Sequence, residues 1–219
     1  VQLMSIAQGY GKKVVSLLTN MDQPLGRFAG NSLEVEECVA IMKGETFAGP
    51  SGYDLYHDTR ELSLWLSAQM IFMAGRTKSA QEGYDLALDI LNTGQALKKF
   101  ELLCQIHGGD LSALPRPKQK VVVLAETSGF VQAFNTEAIG VAGIIIKAGR
   151  AQTSDIIVPT SGIEFHLKVG DAVQAGDILY TIHGDDLELL KTAVPMLSTS
   201  VTISLQKTIT PSLILKTLQ

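Results

Sequence analysis

The sequence has few cysteines, little net charge and no long apolar run, and each shortage excludes a class of protein. Its only two cysteines, Cys38 and Cys104, lie far apart in 219 residues. This usage favours reduced thiols in a cytoplasmic protein over a disulfide-stabilised secreted one. The formal net charge of -4 leaves no basic footprint for nucleic acid. No apolar run reaches the length of a membrane span, so we expect neither nucleic acid nor membrane as a partner.

Compact catalytic signatures are also missing from the sequence. It contains no Walker loop, no dinucleotide-binding glycine fingerprint, no CxxC pair and no HExxH helix. We therefore expect no organic cofactor. The histidines show no metal-ligand spacing, and we interpret each as a surface or capping residue. They are His57, His107, His166 and His183.

The pattern changes from helical to β in the middle of the chain. Residues 1–113 predict a partial α/β domain that is mostly helical with one parallel strand. The proline-rich stretch 114–119 predicts a linker. Residues 120–219 predict an α+β domain with hammerhead-like or barrel-sandwich β structure. At 46% hydrophobic residues, the chain has enough apolar side chains for two modest cores.

The single convincing strand of the first half, residues 13–19, raises a pairing problem. Its backbone N–H and C=O groups need partners, because orphaned buried groups are costly. Either the second half supplies a neighbouring strand, or the neighbours lie in sequence absent from this chain. Short connections between neighbouring elements favour the second alternative. The first residue is valine rather than methionine, which also suggests a piece of something longer.

The segment after this strand is the most informative part of the chain. Residues 22–30 contain Pro24, Gly26 and Gly30, and a helical pattern follows. A strand, a loop and a helix start form an α/β unit, in which ligands lie beyond the carboxyl end of the strand. Asn31 as N-cap with Glu34 three residues later predicts a capping box at the helix start.

Two further segments have alternative interpretations. Arg150, which precedes a Ser-Asp pair, is interpreted as a turn anchor, with anion binding as the alternative. Residues 168–179 are similar to half of a biotinyl or lipoyl carrier domain. Where such carriers place the modifiable lysine, this sequence has residues 183–186, which contain no lysine. The carrier alternative predicts a modified Lys168 or Lys191.

Several motifs together resemble the carboxyl-terminal half of the thymidine and pyrimidine-nucleoside phosphorylase family. The first resembles the family run D-M-N/S-Q-P-L-G-x-x-x-G-N-A-L-E-V, and the others follow it in the family's order. The matching segments are residues 20–35, 129–131, 148–157 and 169–183. The sequence departs from the family at Phe28 and Ala29, at the exchanged Asn20 and Asp22, and at Val158.

The resemblance implies an enzyme that cleaves pyrimidine nucleosides with phosphate into a free base and a pentose 1-phosphate. Such an enzyme positions phosphate against the sugar and stabilises the departing base. The family's phosphate loop and Arg–Ser–Lys base clamp are not in this sequence, so no catalytic or substrate-binding residue is assigned. The resemblance implies a missing amino-terminal segment, a homodimer when complete, and an inactive lone chain. The alternative is a non-catalytic remnant or interaction module of the same fold.

One site of the family does map onto this sequence. Several members bind potassium or another monovalent cation through loop carbonyls and one carboxylate. The matching positions are the carbonyls of Leu25 and Phe28 and the carboxylate of Glu37. Oxygen ligands suit a hard cation. The alternative is that Glu37 is an ordinary carboxylate in the first turns of a helix.

Overall fold

The computed structural model describes residues 2–218, so Val1 and Gln219 lie outside the described residues. The described part is a mixture of helices and antiparallel sheets. The helices are α1 Gln2–Gly9, α2 Ser32–Met42, α3 His57–Met73, α4 Ala80–Asn92, α5 Gln95–Ile106, α6 Thr136–Ile145 and α7 Leu187–Ser198. The strands are β1 Ser16–Thr19, β2 Phe28–Gly30, β3 Gln119–Leu124, β4 Gly129–Phe134, β5 Gly162–Phe165, β6 Ala172–Val173, β7 Ile178–Gly184, β8 Val201–Ser204 and β9 Ile214–Leu218.

The predicted capping box at the start of α2 is wrong. The Asn31 side chain makes no capping hydrogen bond, and its Nδ2 donates to the carbonyl of Ala148 at 2.9 Å. Glu34 Oε1 accepts from the N–H of Gly30 at 2.8 Å, one residue before the expected position. Tertiary contact with the second half therefore takes the Asn31 amide away from its local role. At α4, by contrast, Ser79 Oγ accepts from the N–H of Glu82, as an N-cap does.

Helix α7 contains Pro195 in its interior. A proline removes one helical hydrogen bond and usually kinks or ends a helix. Here Leu190, Ala193 and Leu197 are fully buried in the core of the second half. Packing of this face outweighs the lost hydrogen bond, so the helix continues to Ser198.

The strands form three sheets in the described part of the chain. Each observed pairing is antiparallel, so the expected parallel strand is wrong. The strand orders are β1-β9, β2-β5-β7-β3 and β6-β4-β8. The four-stranded and three-stranded sheets enclose the main apolar core together with α6 and α7.

Strand β1 pairs with β9, which lies at the far end of the second half. Ser16 lies opposite Leu218 and Thr19 opposite Ile214, with an irregularity in register between Leu18 and Thr19. The expectation that the second half lends no strand to β1 is therefore wrong. The entropic cost of closing a loop grows only slowly with its length, so pairing with such a distant strand costs little more than pairing with a nearer one. Within residues 2–218, no strand pairs with the other edge of β1.

Strand β2 lies in the first half of the chain but joins the sheet of the second half. It pairs with β5, so that Phe28 lies opposite Glu164 and Gly30 opposite Gly162. The two glycines allow close approach, since a Cβ at Gly30 would lie 2.9 Å from the Cα of Gly162. The boundary at 114–119 stays a prediction. The hydrogen-bonded pairing of β2 with β5 joins residues before this boundary to residues after it.

Among residues 2–218, no helix has the length and apolar character needed to cross a membrane. Cys38 and Cys104 are both free thiols.

Candidate functional site

The loop between β1 and β2 is held from the inside by Lys168. The Lys168 ammonium group donates to the carbonyls of Pro24 and Gly26 and to Asp58 Oδ2, each at 2.7 Å. Lys168 is 2% exposed and Asp58 4% exposed. Asp58 lies in the first turn of α3, and its Oδ1 accepts from the N–H of Gly26 at 2.9 Å. A buried ion pair with all donors occupied thus joins the loop, α3 and the second half.

Glu37, on α2, holds the other end of the same loop. Its Oε2 accepts from the N–H groups of Arg27 and Phe28 at 3.0 and 2.9 Å. Its Oε1 accepts from Thr59 Oγ1 at 2.9 Å. The residue is only 3% exposed. This Glu37 carboxylate is therefore not an ordinary solvated helix residue, because it organises the backbone that leads into β2.

The charge of Glu37 is not balanced by any ion pair among the described residues. Its three hydrogen-bond donors are neutral. Burial raises the pKa of Glu37, and the hydrogen bonds from Thr59, Arg27 and Phe28 only partly oppose this effect. A buried carboxylate normally requires a paired cation or a metal. The environment of Glu37 therefore fits a hard cation.

The backbone of Phe28 is oriented toward the same place. The Arg27 carbonyl accepts from the N–H of Phe165 at 2.7 Å, so the next pair, Phe28 and Glu164, is a non-hydrogen-bonded pair of the ladder. The N–H and C=O groups of Phe28 therefore point away from β5. The N–H reaches Glu37, so the carbonyl faces the edge on which Glu37 lies.

The structure thus brings Glu37 and Phe28 together. Leu25 lies in the same loop between β1 and β2. Leu25 is 44% exposed, and in the sequence it lies between Pro24 and Gly26, whose carbonyls accept from Lys168. A cavity of about 510 Å³ borders this loop and is lined by Leu25, Glu34 and Gly143, among others. The loop therefore borders this cavity, while Lys168, Asp58 and Glu37 hold its backbone at Pro24 and at residues 26–28.

Within residues 2–218, no group of three or more His, Cys, Asp or Glu side chains is arranged to hold a metal. A site here would therefore depend on backbone carbonyls as well as on Glu37. Carbonyl and carboxylate oxygens suit hard cations such as alkali ions, whereas transition metals prefer nitrogen or sulfur ligands.

Arg27 forms a second charged cluster with side chains of the second half of the chain. Its Nη2 pairs with Glu164 Oε1, and its Cζ lies 3.3 Å from the ring centroid of Phe47. Glu164 Oε2 is also 2.8 Å from His183 Nε2. Burial alone would raise the pKa of Glu164, but the His183 hydrogen bond and the charges of Arg27 and His166 outweigh it. They lower the pKa to about 2.

The histidines are not all surface residues. His166 and His183 both flank Glu164, and burial lowers the pKa of His166. His57 begins α3, where its ring packs edge-on against Tyr53, and His107 follows α5 as its C-cap. The surface-or-capping interpretation is therefore wrong for His166 and His183, because β5 and β7 bring distant side chains onto one face of the sheet.

The segment around Arg150 is organised by Asp155. Its Oδ2 accepts from the N–H groups of Ala151 and Gln152, both at 3.0 Å. The turn is therefore anchored by the aspartate rather than by the arginine. The carrier alternative also fails at Lys168, because its amine is buried against three oxygen atoms. Lys191 is exposed on α7 and pairs with Glu188 at 2.6 Å.

Sequence reasoning missed Lys168, Asp58 and the Arg27–Glu164 pair. The sequence indicates Lys168 only as a modification site, and Asp58 stands at a helix start, where carboxylates are common. Periodicity contains no information about which distant charges meet. A lysine between apolar residues in a strand-like run, Leu167–Val169, was the one local signal for burial.

Comparison with known proteins follows the two halves of the chain. Residues 2–97 match the glycosyl transferase family a/b domain, and residues 130–204 match the pyrimidine nucleoside phosphorylase C-terminal domain. A pyrimidine-nucleoside phosphorylase of Staphylococcus aureus (strain USA300) is 32% identical over 220 residues, which cover 98% of this chain and 48% of the relative. The protein of the same name from Staphylococcus haemolyticus (strain JCSC1435) is 34% identical over the same extent. The chain thus spans about half the length of the curated relatives it matches.

Proposed function

Because the chain belongs to the pyrimidine-nucleoside phosphorylase family, we propose that it is the carboxyl-terminal part of such an enzyme. The complete enzyme would cleave a pyrimidine nucleoside with phosphate, giving a free base and a pentose 1-phosphate. The reaction is that of a pentosyltransferase, and phosphate is the co-substrate. Two family models in the same order along the chain, and relatives of that name at 32–34% identity, support the proposal.

The contribution of this chain would be structural rather than catalytic. Its sequence contains neither a Gly/Ser/Thr-rich phosphate loop nor an Arg–Ser–Lys base clamp of the family type. We propose that another segment supplies both, and that these 219 residues alone have no phosphorolytic activity. The edge of β1 that no strand of residues 2–218 covers is one place where a strand of that segment could pair.

The site that this chain would supply holds a monovalent cation, with potassium as the first candidate. The carbonyls of Leu25 and Phe28 and the carboxylate of Glu37 would be its ligands on this chain. The observation that carries this assignment is the buried Glu37 carboxylate, which has three neutral donors and a pKa raised by burial. When bound, the cation would supply positive charge beside the anionic co-substrate.

The residues of this chain would act by holding backbone in place. Glu37 fixes the amides of Arg27 and Phe28, Asp58 fixes that of Gly26, and Lys168 fixes two carbonyls. A loop with so many fixed groups loses little further entropy when it binds an ion or a neighbouring segment. Preorganisation of this kind is how a non-reacting segment contributes to positioning.

We further propose that the complete enzyme is a cytoplasmic homodimer. The free thiols of Cys38 and Cys104 support the location. For the second half we propose a hammerhead-like, barrel-sandwich arrangement, supported by its two antiparallel sheets around one core.

A chimeric enzyme tests the proposed function. The amino-terminal half of the Staphylococcus aureus relative would be fused to this chain, and phosphate-dependent release of uracil or thymine would be measured. We expect the chimera to release base and the lone chain to release none. Omission of phosphate is the control. A chimera that folds, as judged by circular dichroism and thermal unfolding, but releases no base favours the non-catalytic interaction module instead.

A further inference from the structure

Lys168 is a lysine in the protein interior, where lysines are rarely found without a partner. Its ammonium group has three N–H donors, and the structure provides three oxygen acceptors at 2.7 Å. Two acceptors are loop carbonyls and the third is the Asp58 carboxylate. This ligand set has the chemistry of a monovalent cation site, in which the cation is tethered to the chain.

The tethered cation lies against the same loop as Glu37. The carbonyls of Pro24 and Gly26 bind the ammonium group, whereas the amides of Arg27 and Phe28 bind the Glu37 carboxylate. The backbone of this loop therefore contacts two fixed charges. The first is the positive Lys168 ammonium group, and the second is the negative Glu37 carboxylate. Leu25 is the residue between the two carbonyls that Lys168 holds.

Asp58 connects these two halves of the arrangement. Its Oδ2 pairs with Lys168 while its Oδ1 accepts from the N–H of Gly26 and from that of Thr59, both at 2.9 Å. The hydroxyl group of Thr59 in turn donates to Glu37 Oε1. A continuous network of hydrogen bonds thus links the Lys168 ammonium group to the Glu37 carboxylate through Asp58 and Thr59.

We propose that Lys168 is a positioning residue for the cation site at Glu37, acting through the backbone of residues 24–26 and through Asp58. It fills one cation position permanently and thereby shapes the loop around the second, exchangeable position. The inference rests on the proposed function for the identity of the exchangeable ion, but the tethered position is tested independently of it.

The first experiment replaces the tethered cation by a free one. Lys168→Ala removes three methylenes and the ammonium group, which n-propylammonium matches in length and donors. We expect Lys168→Ala to lower the thermal unfolding midpoint of the 219-residue chain, and n-propylammonium chloride to raise it again. Tetramethylammonium chloride, which has no N–H donor, should not. If the variant folds poorly, the refolding yield in the two salts is the readout. Equal effects of both salts overturn the proposal.

The second experiment measures coupling to the exchangeable cation. The midpoint is followed against KCl concentration, with choline chloride keeping the ionic strength constant. Lys168→Met combined with Asp58→Asn leaves no unpaired buried charge. The side-chain oxygen of Asn can still accept hydrogen bonds from the two backbone N–H groups that donate to Asp58 Oδ1. We expect this double variant to need at least tenfold more KCl for half of the wild-type stabilisation. Asp186→Ala, which removes the N-cap of α7, is the control for general loss of stability.

The outcomes separate this inference from the proposed function. One outcome overturns only the role of Lys168. In that outcome Glu37→Gln loses the KCl response, but the Lys168/Asp58 double variant keeps a normal half-saturating KCl concentration. A wild-type chain that responds equally to KCl and choline chloride overturns the exchangeable site and with it the coupling. In that case a positive n-propylammonium rescue would leave Lys168 as a structural cation only.

Discussion

Gly26 lies directly against the carboxylate of Glu37. A Cβ built at Gly26 would be 2.8 Å from Glu37 Cδ, and closer still to Glu37 Oε1 and Thr59 Oγ1. The residue also has a φ of +66°, in the left-handed region that favours glycine. The loop can therefore approach the buried acid only because this position has no side chain.

We predict that Gly26→Ala destabilises the chain by more than about 2 kcal/mol, because steric overlap adds to the backbone cost. Gly44→Ala is the matched control, since Gly44 has a φ of +77° and nothing within 4 Å of a Cβ. It should cost only about 1 kcal/mol, the backbone effect alone. Urea unfolding measures both, and equal costs would contradict the contact.

Glu164 predicts a loss of stability in acid. Its pKa is about 2 in the folded protein, below the ordinary 4.5. A depressed pKa contributes stability above pH 4.5, and this contribution is lost as the pH falls toward 2. We expect Glu164→Gln to cost about 1–2 kcal/mol at pH 7, after allowance for solvent screening, and much less near pH 2.5. Urea unfolding of both proteins across pH 2.5–7 checks this, and a pH-independent difference would refute it.

For Glu37 we predict the opposite dependence of folding stability on pH. Burial raises its pKa above the ordinary 4.5. The folded state therefore holds this proton more tightly than the unfolded state, so stability falls as the pH rises above 4.5 through the raised pKa. Glu37→Gln keeps the shape of the side chain: its amide oxygen can accept from Arg27 and Phe28, and its amide nitrogen can donate to Thr59 Oγ1. We expect the variant to gain stability relative to wild type over that range in choline chloride.

The wild-type chain and Glu37→Gln also test whether a potassium ion binds at Glu37. In KCl the wild-type chain should regain the stability that the buried charge costs, because a bound cation favours the ionised carboxylate. Glu37→Gln should not respond. An unchanged wild-type pH profile in KCl would show that Glu37 holds no potassium ion in this chain.

Arg27 should not be replaceable by lysine. Its guanidinium group pairs with Glu164, donates to the Tyr56 hydroxyl group at 3.3 Å and covers the Phe47 ring. A lysine can supply the charge but not the flat, multiply donating surface. We expect Arg27→Lys to cost about 1–3 kcal/mol in unfolding free energy. Arg76→Lys, at an exposed position after α3, is the control and should change stability by less than about 0.5 kcal/mol.

Lysine labelling distinguishes a structural Lys168 from a carrier lysine. The Lys168 side chain is 3% exposed, whereas that of Lys191 is 54% exposed. An acetylating reagent applied to the folded chain should modify Lys191 and leave Lys168 unmodified, as read by peptide mass spectrometry. Denaturation before labelling is the control and should expose both. Labelling of Lys168 at the rate of Lys191 in the folded chain would contradict the buried cation.

The ends of some helices follow local patterns in the sequence. The Ser79–Glu82 start of α4 and the stop of α5 before Gly108 depend on neighbours in sequence, so a single chain reveals them. The family motif predicts Leu25, Phe28 and Glu37 as a set, which stays a prediction, although the Phe28 N–H does reach Glu37. Glu37 and Phe28 meet in the structure because the loop and α2 that connect them are short.

Only the tertiary structure decided how the two halves join. Strand β2 has three residues and β9 has five, and each pairs with a strand more than 130 residues away. Lys168 finds its partners at comparable distances along the chain. Periodicity describes which side of an element is apolar, and it contains no information about which elements meet. The Lys168–Asp58 ion pair depends on this assembly, because a charge removed from water must be matched by groups from elsewhere in the fold.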